Sequence, residues 1–224
     1  MTLLRAARPR EGVPPGTRHY LDAFITQVHQ LVATGYQKLT PTHLATKEET
    51  AITGLLVLAI RQVIEGEEGP SWACRFAVHD DPPIDTGDGR EGKNRSRLDI
   101  QFERTQSGKH PRFQFEAKRL NHRSDSVAMY VGGDGLGAFV SGTYAADEHT
   151  VGMLGYVQSQ APSDWIPKIT AKLERDRASY GLPEVGDALR QVDVAATPLS
   201  SYESMHQRPT SNPVRVIHTL LECC

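Results

Sequence analysis

The chain has 224 residues, of which 38% are hydrophobic, and this is enough for one sizeable globular domain. Its formal net charge of −2 argues against a protein that coats nucleic acid by bulk charge. No run approaches the roughly 18 consecutive apolar residues of a membrane span, so we expect no membrane association. Residues 1–16 are rich in Pro, Gly and Arg, which predicts a flexible N-terminal arm before a single domain at residues 17–224.

The cysteine pattern and the first residues indicate a reducing compartment. Cys74, Cys223 and Cys224 include no CxxC pair, so the sequence supports neither a disulfide framework nor a zinc site. The N-terminal residues are basic but lack the apolar segment of a signal peptide. We therefore expect a cytoplasmic protein.

The N-terminal half begins with two predicted helices and a strand. Residues 17–35 are apolar on one side, which predicts an amphipathic helix that stops near Gly35. Residues 46–65 predict a stronger helix, for which Thr46 and Glu49 have the spacing of a capping box. Residues 71–79 alternate like a strand, and a long polar loop follows at residues 80–96.

Two further segments, residues 97–103 and 112–120, alternate apolar and polar residues as half-buried strands do. A turn near Ser107-Gly108 would join them as neighbours. The residues expected to point inward are Leu98, Ile100, Phe102, Phe113, Phe115 and Ala117. The opposite face would then carry Asp99, Glu116 and Lys118 together.

The C-terminal half predicts more helices and strands. Residues 125–144 look helical at both ends, but four glycines in the middle predict a kink or two short helices. A buried strand at residues 150–158 precedes a charged helix at residues 163–180, capped by Ser163. Residues 191–195 and 214–221 look like strands. The element order predicts an α/β fold, with helices on both faces of a central mixed sheet whose first three strands form an antiparallel meander.

The carboxylates and the lysine on the paired strands predict metal chemistry. Magnesium takes one or two protein carboxylates together with phosphate oxygens, and Asp99 and Glu116 can supply the carboxylates. The carbonyl of Ala117 offers one more hard oxygen. Lys118 can orient the attacking water, neutralise developing charge or act as a base if its pKa is lowered. The alternative is a pair of exposed strand acids, with Lys118 paired to Glu116 at the surface.

The charge is unevenly distributed along the chain. Residues 90–123 contain ten Lys or Arg residues but only four acidic ones. A local positive field beside a metal site suits a phosphate backbone, and Arg97, Arg119 and Arg123 are the candidate nucleic-acid ligands. The alternative is a solvated segment with ordinary surface charge.

With Asp99 and the Glu116-Ala117-Lys118 tripeptide in these positions, the sequence resembles the PD-(D/E)xK nucleases of the restriction-endonuclease-like superfamily. The resemblance implies a restriction-endonuclease-like α/β fold with a nuclease core at residues 46–158. It also implies an acid on the preceding helix, for which Glu48 and Glu49 are candidates and Glu49 is favoured. Glu49 can equally be a capping-box residue. The family's proline before the aspartate is replaced here by Leu98.

The resemblance also implies a function. A Mg²⁺-dependent (or Mn²⁺-dependent) nuclease would use Glu49, Asp99, Glu116 and Lys118 for cleavage, with DNA rather than RNA as the expected substrate. Residues 139–145 and 152–157 are similar to segments of prokaryotic nucleases linked to anti-phage defence, and that setting implies a partner subunit such as an ATPase or a sensor. A homodimer is the other expectation, because two sites are needed to cut both strands together. The alternatives are a non-catalytic nucleic-acid-binding or assembly subunit that keeps the fold, and an unrelated α/β protein with an accidental motif.

Overall fold

The computed structural model describes residues 15–67, 69–83, 96–105, 111–123 and 125–224, with side chains from residue 19 onwards. Residues 1–14 of the predicted N-terminal arm, most of the polar loop at 80–96 and the turn at Ser107-Gly108 lie outside the described residues. The last two residues of the predicted arm, Pro15 and Gly16, already belong to the first helix. Within the described ranges, no helix combines the length and the apolarity needed to cross a bilayer.

The described residues form one seven-stranded mixed sheet. The strands are β1 (Phe76–Asp80), β2 (Ile100–Arg104), β3 (Arg112–Leu120), β4 (Thr150–Val157), β5 (Arg190–Val192), β6 (Ser201–His206) and β7 (Val214–Glu222). They lie in the order β1-β2-β3-β4-β7-β6-β5. The predicted meander β1-β2-β3 is antiparallel, β3-β4 and β4-β7 are parallel, and the last two pairs are antiparallel. The predicted mixed sheet is therefore confirmed.

Helices cover both faces of the sheet, as the element order predicts. They are α1 (Pro15–Gln37), α2 (Glu49–Glu65), α3 (Ser126–Val131), α4 (Leu136–Val140) and α5 (Pro162–Arg175). One apolar core joins α1 and α2 to the sheet face that carries Phe113, Phe115 and Ala117. A second core joins α3, α4 and α5 to the opposite face through Met153, Val157 and Leu220. Two cores make the sheet the middle layer of three.

Strand β3 is buried on both faces, whereas the alternation of its residues predicted a half-buried strand. Gln114, Glu116 and Lys118 are only 6%, 5% and 8% exposed. Helix α3 packs against β3, and the loop after α4 lies over the same face. The polar residues of β3 are therefore polar for a reason other than contact with bulk water.

Several predicted boundaries are wrong, each for a local reason. Helix α2 starts only at Glu49, with Glu48 as its N-cap, so Thr46 lies before the capping position and forms no capping box. The Glu49 carboxylate instead binds Lys118 and the Arg119 N–H. Helix α5 is capped by Asp164, which accepts the Ala161 N–H at 3.0 Å, rather than by Ser163. Leu98 is buried, but it packs in the second core instead of beside Ile100 in the first.

Strand assignments also differ from the sequence prediction at two places. The segment 71–79 begins with a 3₁₀ turn at Ala73–Arg75, so the strand starts only at Phe76. Strand β6 at Ser201–His206 was not predicted, because polar residues fill it. Two of these polar residues, Ser204 and His206, are buried and hydrogen bonded to each other at 2.6 Å.

These residues belong to a buried chain of hydrogen bonds that extends from α3 across β7 and β6 to the turn after α5. The Nδ1 of His206 donates to the Tyr180 carbonyl at 2.7 Å, so its Nε2 must accept the Ser204 hydroxyl. Ser204 then accepts from His218 Nε2 at 2.8 Å, and His218 Nδ1 accepts from the Tyr130 hydroxyl at 3.0 Å. Every group is satisfied when both imidazoles are neutral. Burial lowers the pKa of His206 to about 4 and that of His218 to about 3.

Candidate functional site

Four charged side chains converge at the point where β2 begins and β3 ends. Glu116 and Lys118 point to one face of β3, and Asp99 immediately precedes β2. Because Ile100 pairs with Phe115, Asp99 lies across from Glu116. The fourth residue, Glu49, lies in the first turn of α2. The structure thus brings Glu49, Asp99, Glu116 and Lys118 together; we call this group the carboxylate cluster.

The ammonium of Lys118 is the centre of the carboxylate cluster. Its Nζ donates to Glu116 Oε1 at 2.6 Å, to the Ala117 carbonyl at 2.9 Å and to Glu49 Oε1 at 3.1 Å. An ammonium has three N–H groups, and these contacts match all three. The lysine is therefore held in one position.

The backbone of β3 fixes two of the carboxylates. Asp99 Oδ2 accepts the Ala117 N–H at 2.7 Å, and Glu49 Oε2 accepts the Arg119 N–H at 3.1 Å. Both bonds are made by the same strand that carries Glu116 and Lys118. The relative positions of the four side chains are consequently set by backbone as well as by charge.

Burial and the excess of acidic over basic side chains raise the pKa values of Glu116 and Asp99 in the carboxylate cluster. Burial, with a further contribution from the charge of Asp99, raises the pKa of Glu116 to about 8, although Lys118 opposes the shift. Burial also raises the pKa of Asp99, against the opposing hydrogen bond from Ala117. One lysine thus offsets only part of the negative charge of three carboxylates.

Lys118 itself is a stable cation here. Burial disfavours its charged form, but the charges of Glu116 and Glu49 outweigh burial and raise the pKa of Lys118 above its usual value. The role as a base required the opposite shift, so this arrangement favours charge neutralisation and orientation for Lys118.

The oxygens of the carboxylate cluster are of the type that magnesium prefers. Glu116 Oε2 is buried and has no hydrogen-bond partner within the described part of the chain. Asp99, Glu116 and the Ala117 carbonyl can supply hard donors beside it. In the described ranges no group of three or more His, Cys, Asp or Glu side chains is arranged as a complete metal site, and Lys118 Nζ lies among the acids. The oxygen donors thus fit a hard cation by their chemical type, whereas their arrangement around Lys118 is not that of a complete metal site in the described ranges.

Glu48 and Glu49 differ clearly in position. The side chain of Glu48 is 74% exposed and pairs with Arg119 at 2.7 Å, outside the carboxylate cluster. Glu49 points inward to Lys118. The start of α2 is held by Gln158, whose Nε2 donates to the carbonyls of Leu44 and Lys47, both at 2.8 Å. These contacts of Gln158 position the helix that carries Glu49.

The three candidate phosphate-binding arginines all have acidic partners. Arg97 pairs with Asp81 at 2.9 Å, and Arg123 pairs with Asp125 at 3.2 Å, as Arg119 does with Glu48. Exposed pairs of this kind contribute about 0–1 kcal/mol each. A phosphate can therefore replace these acidic partners at little cost.

A cleft of about 170 Å³ opens beside Lys118, between the start of α2 and α3. Tyr144 lies near the carboxylate cluster from the other side: burial and then the charge of Glu116 raise its pKa. Arg208 holds the loop that carries Tyr144 by donating to the carbonyls of Phe139, Ala146 and Glu148 at 2.8, 3.0 and 3.1 Å. No local pattern in the sequence points to Tyr144, because its place depends on the long-range contact with Arg208.

The chain was compared with protein-family models, with curated proteins and with solved structures, and none of them matches it.

Proposed function

We propose that the protein is a metal-dependent nuclease that hydrolyses phosphodiester bonds with magnesium or manganese. Its main support is one observation: three carboxylates from α2, the start of β2 and β3 converge on Lys118 beside an open cleft. As part of the proposal, the chain has the restriction-endonuclease-like fold and belongs to the PD-(D/E)xK superfamily.

The charge balance favours function over a purely structural ion pair. A buried ion pair is tolerated when its charges match and its hydrogen bonds are complete. Here Glu116 and Asp99 have raised pKa values, and Glu116 Oε2 has no partner among the residues described. Groups kept in such an unfavourable state cluster at functional sites. A cation bound beside Glu116 would relieve the excess charge.

Each residue then has a role that follows from its contacts. Asp99 and Glu116 would hold the ion together with the Ala117 carbonyl, and the Ala117 N–H keeps Asp99 in orientation. The bound ion supplies a Lewis acid and lowers the pKa of a coordinated water. Lys118 offsets negative charge on the phosphate. Glu49 accepts from Lys118 through Oε1 and from the Arg119 N–H through Oε2, so its role is to position Lys118 for the reaction.

We infer a nucleic acid, DNA rather than RNA, as the substrate. Arg119 and Arg123 line the cleft beside Lys118, and Arg97 lies next to Leu98 and Asp99. Their weak partners can be exchanged for phosphates. From the sequence resemblance we further infer a prokaryotic, defence-associated cytoplasmic setting, in which a homodimer or a partner subunit such as an ATPase or a sensor selects the target.

The test is incubation of the purified chain with plasmid, single-stranded DNA and RNA, with Mg²⁺, Mn²⁺ or a chelator. We expect metal-dependent cleavage that is lost in Lys118→Ala and in the isosteric Glu116→Gln. Lys38→Ala is the matched control, because Lys38 is exposed at the end of α1. Cleavage by Lys118→Ala at the wild-type rate would refute the assignment. Metal-independent nucleic-acid binding without cleavage would support the non-catalytic subunit instead.

A further inference from the structure

A second polar feature lies on the same sheet face as the carboxylate cluster. Gln101 follows Asp99 by two positions, and Gln114 precedes Glu116 by two, so each pair shares one face. Gln101 and Gln114 are register partners across β2 and β3. Alternate strand residues are about 7 Å apart. The glutamine pair is therefore one step along the strands from the proposed cleavage site.

The glutamines lie at the wall of a groove of about 400 Å³. The loop after α4 forms the other side, with Thr143, Asp147 and Glu148 among its residues, and Arg112 lies at the end of the glutamine pair. A groove of this volume can hold one nucleotide unit. Its acidic residues disfavour a phosphate there, since like charges repel. The groove therefore suits an uncharged group with hydrogen-bond donors.

The orientation of the two amides is determined by Glu103. Gln101 Nε2 donates to Glu103 Oε1 at 2.7 Å, and Gln114 Nε2 donates to Gln101 Oε1 at 2.8 Å. An ionised carboxylate only accepts hydrogen bonds, so the Gln101 amide nitrogen must face Glu103. This leaves Gln101 Oε1 facing Gln114, and it fixes the Gln114 amide in turn. We call this hydrogen-bonded chain, from Glu103 through Gln101 to Gln114, the relay; it ends in one acceptor atom, Gln114 Oε1.

That terminal acceptor is unsatisfied. Gln114 is only 6% exposed, and its Oε1 has no hydrogen-bond partner in the described part of the protein. A buried polar atom without a partner is unfavourable, and most such atoms in proteins are paired. The glutamine also cannot correct this by flipping its amide, because the flip would set its oxygen against Gln101 Oε1. A donor from a bound molecule would complete the relay.

We propose that the groove is a nucleobase subsite, and that Gln114 Oε1 accepts a hydrogen bond from the exocyclic amino group of a base next to the cleaved phosphate. Cytosine carries this group at C4, where uracil and thymine carry a carbonyl oxygen. A carbonyl oxygen would face Gln114 Oε1 and repel it. The inference rests on the proposed nuclease function for the origin of the base. It adds a specificity residue to a site whose chemistry alone selects no base.

The test compares oligodeoxycytidine with oligodeoxyuridine of equal length. Their bases differ at C4, an amino group in cytosine and a carbonyl in uracil, and at N3, an acceptor in cytosine and an N–H in uracil. Binding is measured by fluorescence anisotropy without metal, and cleavage is measured separately with Mg²⁺. We expect wild-type protein to bind oligodeoxycytidine about 3- to 10-fold more tightly, the range for one hydrogen bond. Gln114→Met should abolish this ratio. Gln191→Met, on the exposed edge strand β5, should keep it.

Glu103→Gln provides a second test that keeps the shape of the side chain. Because Arg112 Nε also donates to Glu103 Oε1 at 3.2 Å and would keep an amide oxygen there, the change is combined with Arg112→Leu and compared with Arg112→Leu alone. Gln101 then faces an amide that can donate or accept, so both glutamines can flip and Gln114 can offer an N–H. The ratio should then fall toward one through tighter binding of oligodeoxyuridine. Equal binding of both oligonucleotides by the wild type, or a ratio unchanged in Gln114→Met, overturns the subsite. A cytosine preference without any cleavage would retain the subsite and refute the nuclease.

Discussion

Replacing His29 by methionine should remove a defined part of the acid sensitivity of this protein. His29 lies on α1 and is 3% exposed, between the rings of Phe113 and Phe115 at 5.3 and 5.6 Å. Its Nδ1 contacts the Ile25 carbonyl at 2.9 Å, and its Nε2 has no partner among the described residues. Burial lowers the pKa of His29 to about 4, so the folded protein keeps this imidazole neutral.

The sign and size of the effect follow from proton linkage. The unfolded chain binds a proton at His29 below about pH 6.5, whereas the folded chain binds it only near pH 4. The contribution of neutral His29 to the free energy of unfolding is therefore fully present above pH 6.5, and it is lost as the pH drops toward 4. Each pH unit in this window costs about 1.4 kcal/mol, so acidification from about pH 7.5 to about pH 5 costs about 2 kcal/mol through His29.

The assay is urea unfolding of the wild type and His29→Met at these two pH values. We expect the wild type to lose about 2 kcal/mol more than the variant between them. The quantity to compare is the difference between the wild type and His29→Met in this loss. The raised pKa of Glu116 makes both proteins more stable on acidification, and this contribution cancels in the comparison. His19→Gln is the control on the same helix, at an exposed position. Equal pH dependence of wild type and His29→Met would refute the reasoning.

Three further predictions concern the site and its supports. In a steady-state cleavage assay, Glu49→Gln should lower the rate by about 10²-fold or more, because Glu49 holds Lys118. Glu65→Gln, at the exposed end of α2, should leave the rate unchanged, and equal rates for the two variants would contradict the role of Glu49. Gln158→Leu should speed amide hydrogen exchange at residues 44–49 because two carbonyls lose their donor, with unchanged exchange as the opposing result. Tyr130→Phe leaves His218 Nδ1 without a donor and should cost about 1–3 kcal/mol in urea unfolding; no loss would show that this bond contributes nothing.

The elements that the sequence predicts well are those with short-range patterns. The alternation in β2 and β3 predicts that Asp99 and Glu116 share one face when the two strands pair as neighbours, because side chains on a strand alternate. The register of the structure then places the two residues across from each other. The glycine-interrupted segment does form two short helices, α3 and α4. These features depend on residues that are close in the chain.

The failures involve residues whose partners are far away in the chain. Thr46 and Glu49 match a capping box, but helix α2 has Glu48 as its N-cap, and the Glu49 carboxylate binds Lys118 and the Arg119 N–H. Strand β6 shows no apolar pattern, because its buried polar residues are satisfied by His218 and by a turn after α5. No local spacing reveals such contacts.

The central position of β4 has a consequence for how the protein folds. All four members of the carboxylate cluster come from residues 49–118. Strand β4, which supports β3, has its other edge paired along its length with β7, nearly a hundred residues further on. Parallel pairing between such distant segments closes slowly, because the loop entropy must be overcome first. Until β7 docks, β4 presents a long unpaired edge that can join another chain. We therefore expect assembly of the site to be a late step of folding, and we expect loss of β7 to yield aggregates rather than a smaller folded domain.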